Sequence, residues 1–352
     1  MTSSTKITNF LTIDVEDYFQ VHALSEVIKP DQWDNYECRV EKNTYYILDL
    51  LDSAKPTNPS NPTNSSNSSN SSNSTNSINP RATFFILGWI AERYPKLVKE
   101  IHRRGHEIAS HGYGHQLISS QTPKEFQHDI QRAKKILEDL TGEEVIGYRA
   151  PTYSVTKETL WALSILAEEG YKYDSSIFPI RHDYYGIPSA PRFPFIWNLG
   201  QGNSPKIEGL DERNSGTRLN NDARILEFPM STIIMCNHHI PCSGGGYFRI
   251  FPYLLTRMCL DRISNEGKPF VFYLHPWELD PGIPRIKNLS LLSRFRTYVS
   301  LSRAKPRLSK LLRDFDFAPL KTFLLSGAGG YHDIRSYCAK SPVWSETGSV
   351  GY

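Results

Sequence analysis

Four short segments of this 352-residue chain that read as strands lead to polar side chains that can bind metals or move protons. Asn9 to Ile13 runs into the acidic cluster Asp14-Val15-Glu16-Asp17, and His106 to Ala109 delivers the chain to His111 and His115. Val145 to Tyr148 stops at Arg149, and Phe270 to Leu274 stops at His275. In a barrel of parallel strands every carboxyl end lies on one face, so residues scattered along the chain would converge on one site.

The intervening sequence supports repeated strand and helix units. Val40 to Leu51 reads as a helix with Tyr45, Leu48 and Leu51 on its apolar face, and Ala82 to Leu87 as a strand rich in aromatic and branched residues. A helix over Glu92 to Arg104 is closed by Gly105. Thr122-Pro123-Lys124-Glu125 combines a capping box with Pro at the first helical position, which predicts a helix to about Leu140. Thr156 caps a further helix to Glu169, ended by Gly170. Arg224 to Phe228 reads as a strand and Pro252 to Asn265 as a helix. The expected class is therefore α/β, a barrel of strand and helix units.

Two regions depart from this pattern. Lys55 to Pro80 is almost wholly Asn, Ser, Thr and Pro, which predicts a disordered surface insertion. Beyond Pro284 the sequence turns basic and irregular. The expected organisation is a barrel over residues 1–283, interrupted at 55–80, with a C-terminal extension over 284–352.

Composition excludes more than it selects. A net charge of +3 gives no reason to expect a nucleic-acid binder or a protein of acidic membranes. Five widely spaced cysteines do not read as a disulfide framework. The N-terminal apolar run is too short for a signal peptide and no run reaches the length of a membrane span, so a cytoplasmic location is expected.

His111 and His115 in H-G-Y-G-H, with glycines between them, suit a tight loop that aims two imidazoles at one cation. With a strand-terminal carboxylate they resemble the two-His, one-carboxylate set of a catalytic zinc. The adjacent acids of D-V-E-D would repel one another unless a cation or proton relieved them, so one is expected as a ligand and one as a base. Alternation puts Asp14 and Glu16 on one face. Arg149, held at a strand end before Ala150-Pro151, can orient a catalytic carboxylate, and His275 is expected to emerge from an apolar strand into the site.

In order along the chain, T-I-D-V-E-D from Thr12, H-G-Y-G-H from His111, Y-R-A-P from Tyr148, Y-D-S-S from Tyr173 and Y-L-H-P from Tyr273 resemble the polysaccharide deacetylases of the NodB-homology type, carbohydrate esterase family four. The D-V-E-D-Y-F start, A-T-F-F from Ala82, G-G-G-Y-F-R from Gly244 and the C-terminal region are similar to the exosortase-associated exopolysaccharide deacetylases. The resemblance implies a deformed barrel of seven strand-helix units, a divalent metal, usually zinc, and an N-acetylated polysaccharide as substrate. It implies Asp14 as general base, His111 and His115 as metal ligands, Arg149 as the residue that orients the base, and His275 as general acid. The family's second Asp is replaced by Val15, so the carboxylate ligand shifts to Glu16 or to Asp17, with Glu16 favoured. The family's Tyr three residues after the motif Arg is missing: Thr152 stands there and Tyr153 follows. The implied reaction is metal-assisted transfer of the acetyl group to water, with release of acetate. Tyr113, Tyr153 and Trp277 are candidates for stacking on sugar rings or for core packing.

Two other readings start from the same residues. The site could serve a small cyclic or linear amide, or the chain could be a non-catalytic glycan-binding relative, against which intact Asp14 and His275 argue. Cys236, His238, His239 and Cys242 could form a second metal site, although the Pro and Gly nearby suit an ordinary turn.

Overall fold

A computed structural model describes residues 7–54, 79–200, 205–208 and 224–325. Nearly all of the Asn/Ser-rich insertion and the chain from 326 onward lie outside the described residues, and with them the expectation of disorder in that insertion.

The strands are β1 (Thr8–Val15), β2 (Thr83–Ile86), β3 (Glu107–Ser110), β4 (Gly147–Tyr148), β5 (Tyr173–Asp174), β6 (Phe195–Asn198), β7 (Lys206–Glu208), β8 (Arg224–Glu227), β9 (Thr232–Met235), β10 (His238–Pro241), β11 (Val271–Leu274) and β12 (Asp316–Ala318). The main sheet runs in the order β11-β1-β2-β3-β4-β5-β8-β6-β7. From β11 to β8 every pairing is parallel, giving the seven parallel strands expected, while β6 and β7 add an antiparallel flap. Between β8 and β11 a loop fills the seam: Val271 N–H donates to Ser231 Oγ at 2.8 Å and Tyr273 N–H to the Ser243 carbonyl at 2.9 Å.

Strand alternation decides which side chains reach the interior. On β1, Leu11, Ile13 and Val15 pack in the main core, whereas Phe10 joins an inner aromatic cluster, so Thr12 and Asp14 share its inward face. On β11, Val271 and Tyr273 lie in the inner cluster and His275 continues their parity. Ala109 on β3 leads in the same way to His111. On β4, Tyr148 faces the main core and Arg149 faces inward. Gly147 allows that turn of the sheet, because a Cβ there would come within 2.1 Å of the Tyr173 ring.

The α-helices among the described residues are α1 (Val40–Ser53), α2 (Gly88–Arg93), α3 (Pro95–Arg103), α4 (Pro123–Thr141), α5 (Trp161–Glu168), α6 (Gly245–Ile250), α7 (Tyr253–Asn265), α8 (Leu291–Tyr298), α9 (Leu301–Asp314) and α10 (Lys321–Leu325). The single helix predicted over Glu92 to Arg104 is two. Pro95 removes a backbone donor and pushes Tyr94 to φ −124°, ψ 55°, so α2 stops and α3 restarts at the proline. The helix predicted from Thr156 opens instead as a tighter turn at Lys157–Thr159 before α5.

The chain after Pro284 returns to the sheet. β12 pairs in parallel with Thr8–Phe10 of β1. The buried Arg249 of α6 donates to the carbonyls of Arg296, Thr297 and Val299, and Arg307 of α9 donates back to those of Phe248 and Arg249. These cross-links satisfy the C-terminal carbonyls of α6 and α8, which would otherwise lack donors.

Candidate functional site

The base of the site is a wholly buried ion pair. Arg149 Nη1 donates to Asp14 Oδ1 at 2.6 Å and to Thr12 Oγ1 at 2.8 Å, while Nε and Nη2 are held by the carbonyl and hydroxyl of Ser175 at 2.9 and 2.8 Å. The guanidinium also lies over the Phe85 ring, 4.2 Å from its centre. All of this fixes one oxygen of Asp14 and turns the other, Oδ2, toward the Tyr153 hydroxyl at 3.5 Å and His275 Nε2 at 3.7 Å.

Beside Asp14 lies a group of metal-ligating atoms. Glu16, His111 and His115 each offer one atom within 4.8 Å of the others. His111 Nδ1 is 2.8 Å from the Arg149 carbonyl, which holds the proton on Nδ1 and leaves the Nε2 lone pair for a cation. Burial pushes this imidazole down to about 4, so it is neutral as a ligand must be. Burial alone would raise Glu16, but the imidazoles of His115, His275 and His111 outweigh it and bring the carboxyl down to about 2. Glu16 Oε2 is buried without a hydrogen-bond partner, although His115 Nε2 lies 2.6 Å away. A buried carboxylate and two imidazoles with ligating atoms within 4.8 Å of one another form a donor set that fits a divalent cation.

Asp17 is engaged elsewhere. Its carboxylate accepts from the backbone N–H groups of Tyr18 at 2.8 Å, Val40 at 2.7 Å and Arg39, capping one turn and the start of α1. Of the two acids weighed from sequence, the fold brings Glu16 to the histidines. The H-G-Y-G-H loop is pinned from α4 by Asp129, which accepts from Tyr113 N–H at 2.7 Å and Gly114 N–H at 3.0 Å. Gly112 makes this possible: its φ is +71° and a Cβ would sit 2.7 Å from Asp129 Oδ2.

His275 completes the cluster, with Nε2 3.4 Å from Glu16 Oε1. Its Nδ1 is held at 3.0 Å by Glu278, whose other oxygen takes Arg249 Nε at 2.8 Å. Burial would lower this imidazole, but Glu16, Glu278 and Asp14 raise it to about 9. Glu278 and Arg249 were not singled out from sequence; the nearest signal was the G-G-G-Y-F-R and H-P-W-E strings themselves.

The aromatic candidates divide. Tyr153 reaches Asp14 because Thr152 and Tyr153 both adopt left-handed φ, +56° and +54°, which turns the Tyr153 hydroxyl into the site. Trp277 is buried, stacks on His275 at 5.6 Å and directs Nε1 to Glu16 Oε1 at 3.4 Å. Tyr113 points to Glu92 and lies under Arg132. Packing and hydrogen bonding account for all three.

The Cys236 to Cys242 cluster does not assemble. Cys236 and Asn237 form the left-handed turn, φ +49° and +60°, of the β9–β10 hairpin, and His239 Nδ1 lies at the Pro179 carbonyl, 2.6 Å away. Cys236 is exposed and Cys242 buried, and the group gathered at Glu16, His111 and His115 is the one metal-ligating cluster among the described residues.

Residues 72–173 match the family model for polysaccharide deacetylase, and residues 175–325 match a domain of unknown function (DUF3473). The first match includes His111, His115 and Arg149, the second includes His275, and Asp14 and Glu16 precede both, so the site draws on all three regions. A peptidoglycan deacetylase-like protein of Gibberella zeae is 35% identical over 100 residues, 28% of this chain and 29% of that protein. A peptidoglycan deacetylase of Helicobacter pylori is 32% identical over 96 residues, 27% of this chain and 32% of that protein. The chain thus aligns with under a third of the length of these relatives. A crystal structure of a candidate polysaccharide deacetylase from Mycobacterium smegmatis shares the fold, with a TM-score of 0.52 at 17% identity over 98% of this chain and 99% of that one.

Proposed function

We propose that this chain, which carries a polysaccharide deacetylase domain, is a metal-dependent hydrolase that removes N-acetyl groups from an amino-sugar polysaccharide. The supporting observation is one juxtaposition: Asp14 Oδ2 and His275 Nε2 face each other at 3.7 Å beside the Glu16, His111 and His115 atoms.

In this reading Glu16, His111 and His115 hold a divalent cation, zinc by the chemistry of the set. When bound, the cation polarises the acetamide carbonyl and offsets charge on the developing oxyanion. Asp14, oriented by Arg149, accepts the proton of the attacking water. His275, oriented by Glu278, gives a proton to the departing amine. A carbon–oxygen bond forms, the carbon–nitrogen bond breaks, and acetate and a free amino sugar leave. The likeness of D-V-E-D-Y-F and G-G-G-Y-F-R to the exosortase-associated deacetylases favours an exopolysaccharide as the polymer.

The test is acetate release from a panel of N-acetylated oligosaccharides, with and without chelator, by the wild type and Asp14→Asn. Activity that chelator abolishes and Asp14→Asn removes is the expected result. Activity surviving both overturns the reading, and silence on every glycan moves the site to a small-amide substrate.

A further inference from the structure

The overall charge of +3 conceals a strong asymmetry: between Arg285 and Arg313 there are nine Lys or Arg and no Asp or Glu. Within this stretch, α8 displays Leu291 at 84% exposure, Leu292 at 56% and Phe295 at 52%, while Thr297 on its other side is 1% exposed. Positions 291, 292 and 295 share one face of the helix. Arg285, Lys287, Arg294 and Arg296 are all exposed around them. Ser290 caps the helix through Ser293 N–H at 3.1 Å, so this apolar face is presented by an ordered element.

α8 also borders the site. It packs on the turn His22–Leu24, and His22 meets Tyr184 edge-on at 5.0 Å. From Asp14 an aromatic row leads outward through Tyr153 to Tyr185 at 5.9 Å and on to His182, stacked on Tyr185 at 3.8 Å.

We propose that α8 and the basic chain around it form a docking surface for a bilayer containing anionic phospholipid, with the mouth of the site held beside that bilayer. A bilayer uses both halves of the surface. Its acyl boundary accepts Leu291, Leu292 and Phe295, and its phosphates accept the guanidinium and ammonium groups that flank them. A water-soluble polyanion would use the arginines and leave the three apolar side chains in water. The binding goes beyond the hydrolase reading and is measured without any reaction.

The test is co-sedimentation of the full chain with vesicles of phosphatidylcholine and phosphatidylglycerol in equal parts, against phosphatidylcholine alone. Binding to the anionic vesicles only, weakened by salt, is expected. Leu291→Ser with Phe295→Ser should lower that binding roughly tenfold or more while leaving thermal unfolding unchanged, since both side chains are exposed. Arg294→Ala with Arg296→Ala should reduce the preference for anionic over neutral vesicles. No binding to either vesicle, equal binding to both, or a double serine variant that binds as the wild type does would overturn the proposal. So would tight binding of dextran sulfate, unaffected by the serine changes, in the absence of vesicle binding.

Discussion

Glu278 Oε2 lies 3.0 Å from both the backbone nitrogen and Nδ1 of His275, so one carboxylate oxygen sets the position of the turn and the orientation of the ring. A proton kept on Nδ1 leaves Nε2 to face Asp14 and Glu16.

Glu278→Gln keeps the shape of this contact and removes its charge. If His275 is the proton donor proposed above, the expected result is a fall in kcat of about 10- to 100-fold with KM little changed, since the charge that holds its ring is lost and substrate contacts are not. Initial rates of acetate release across substrate concentration check it; an unchanged kcat would detach Glu278 from the reaction.

Arg149→Lys retains the charge but not the fork that joins Asp14, Thr12 and Ser175. Activity should drop by about 100-fold, the scale at which small misplacement of a reacting group is felt. Arg149→Met takes the guanidinium away from the buried Asp14 carboxylate and should cost about 3–5 kcal/mol of stability. Urea unfolding of both variants beside their activities separates the two effects.

Glu16→Gln and His111→Ala each remove one of the three gathered donors. Zinc in excess should stabilise the wild type, by about 2.7 kcal/mol at a hundred times the dissociation constant, and either variant far less. Thermal unfolding with and without the ion reads this independently of activity. Equal stabilisation in all three proteins would place the ion elsewhere.

His106 gives a pH dependence remote from the site. It is buried, its Nδ1 accepts Ala82 N–H at 3.2 Å, and its Nε2 has no partner among the described residues. Burial, with Arg81 and Arg104 nearby, lowers its value from the ordinary 6.5 to about 3. The unfolded chain therefore binds a proton that the folded chain refuses. The stability from this group is complete above the unfolded value and is lost as pH falls toward the folded one, at about 1.4 kcal/mol per pH unit for a single proton. Between pH 6 and 4 the stability of His106→Asn, measured by urea unfolding, should fall less steeply than that of the wild type.

What could be read from sequence followed strand geometry. Asp14, His111, Arg149 and His275 were legible because each sits at or just past the end of a strand with inward parity, and alternation is written in the residues themselves. The choice of Glu16 over Asp17 was not, since it depends on amides of Arg39 and Val40, more than twenty positions away, capturing the Asp17 carboxylate. Arg249 and Glu278 were also hidden, being 29 residues apart on elements with no shared period. The proline break at Pro95 was written in the chain, but the apolar pattern across it was continuous enough to read as one helix. The exposed face of α8 was masked differently: a charge averaged over the chain cannot show where that charge collects.

The strand that carries Asp14 and leads into Glu16 is made before the strands it pairs with and is among the last to be enclosed. One edge of β1 can pair with β2 once residue 86 is made, but its other edge waits for β11 at 271–274 and for β12 at 316–318. Until then its N–H and C=O groups form an open edge on which another chain can add. A product truncated before Val271 would thus be an aggregation hazard with no seat for its acids, rather than a weakened form of the whole.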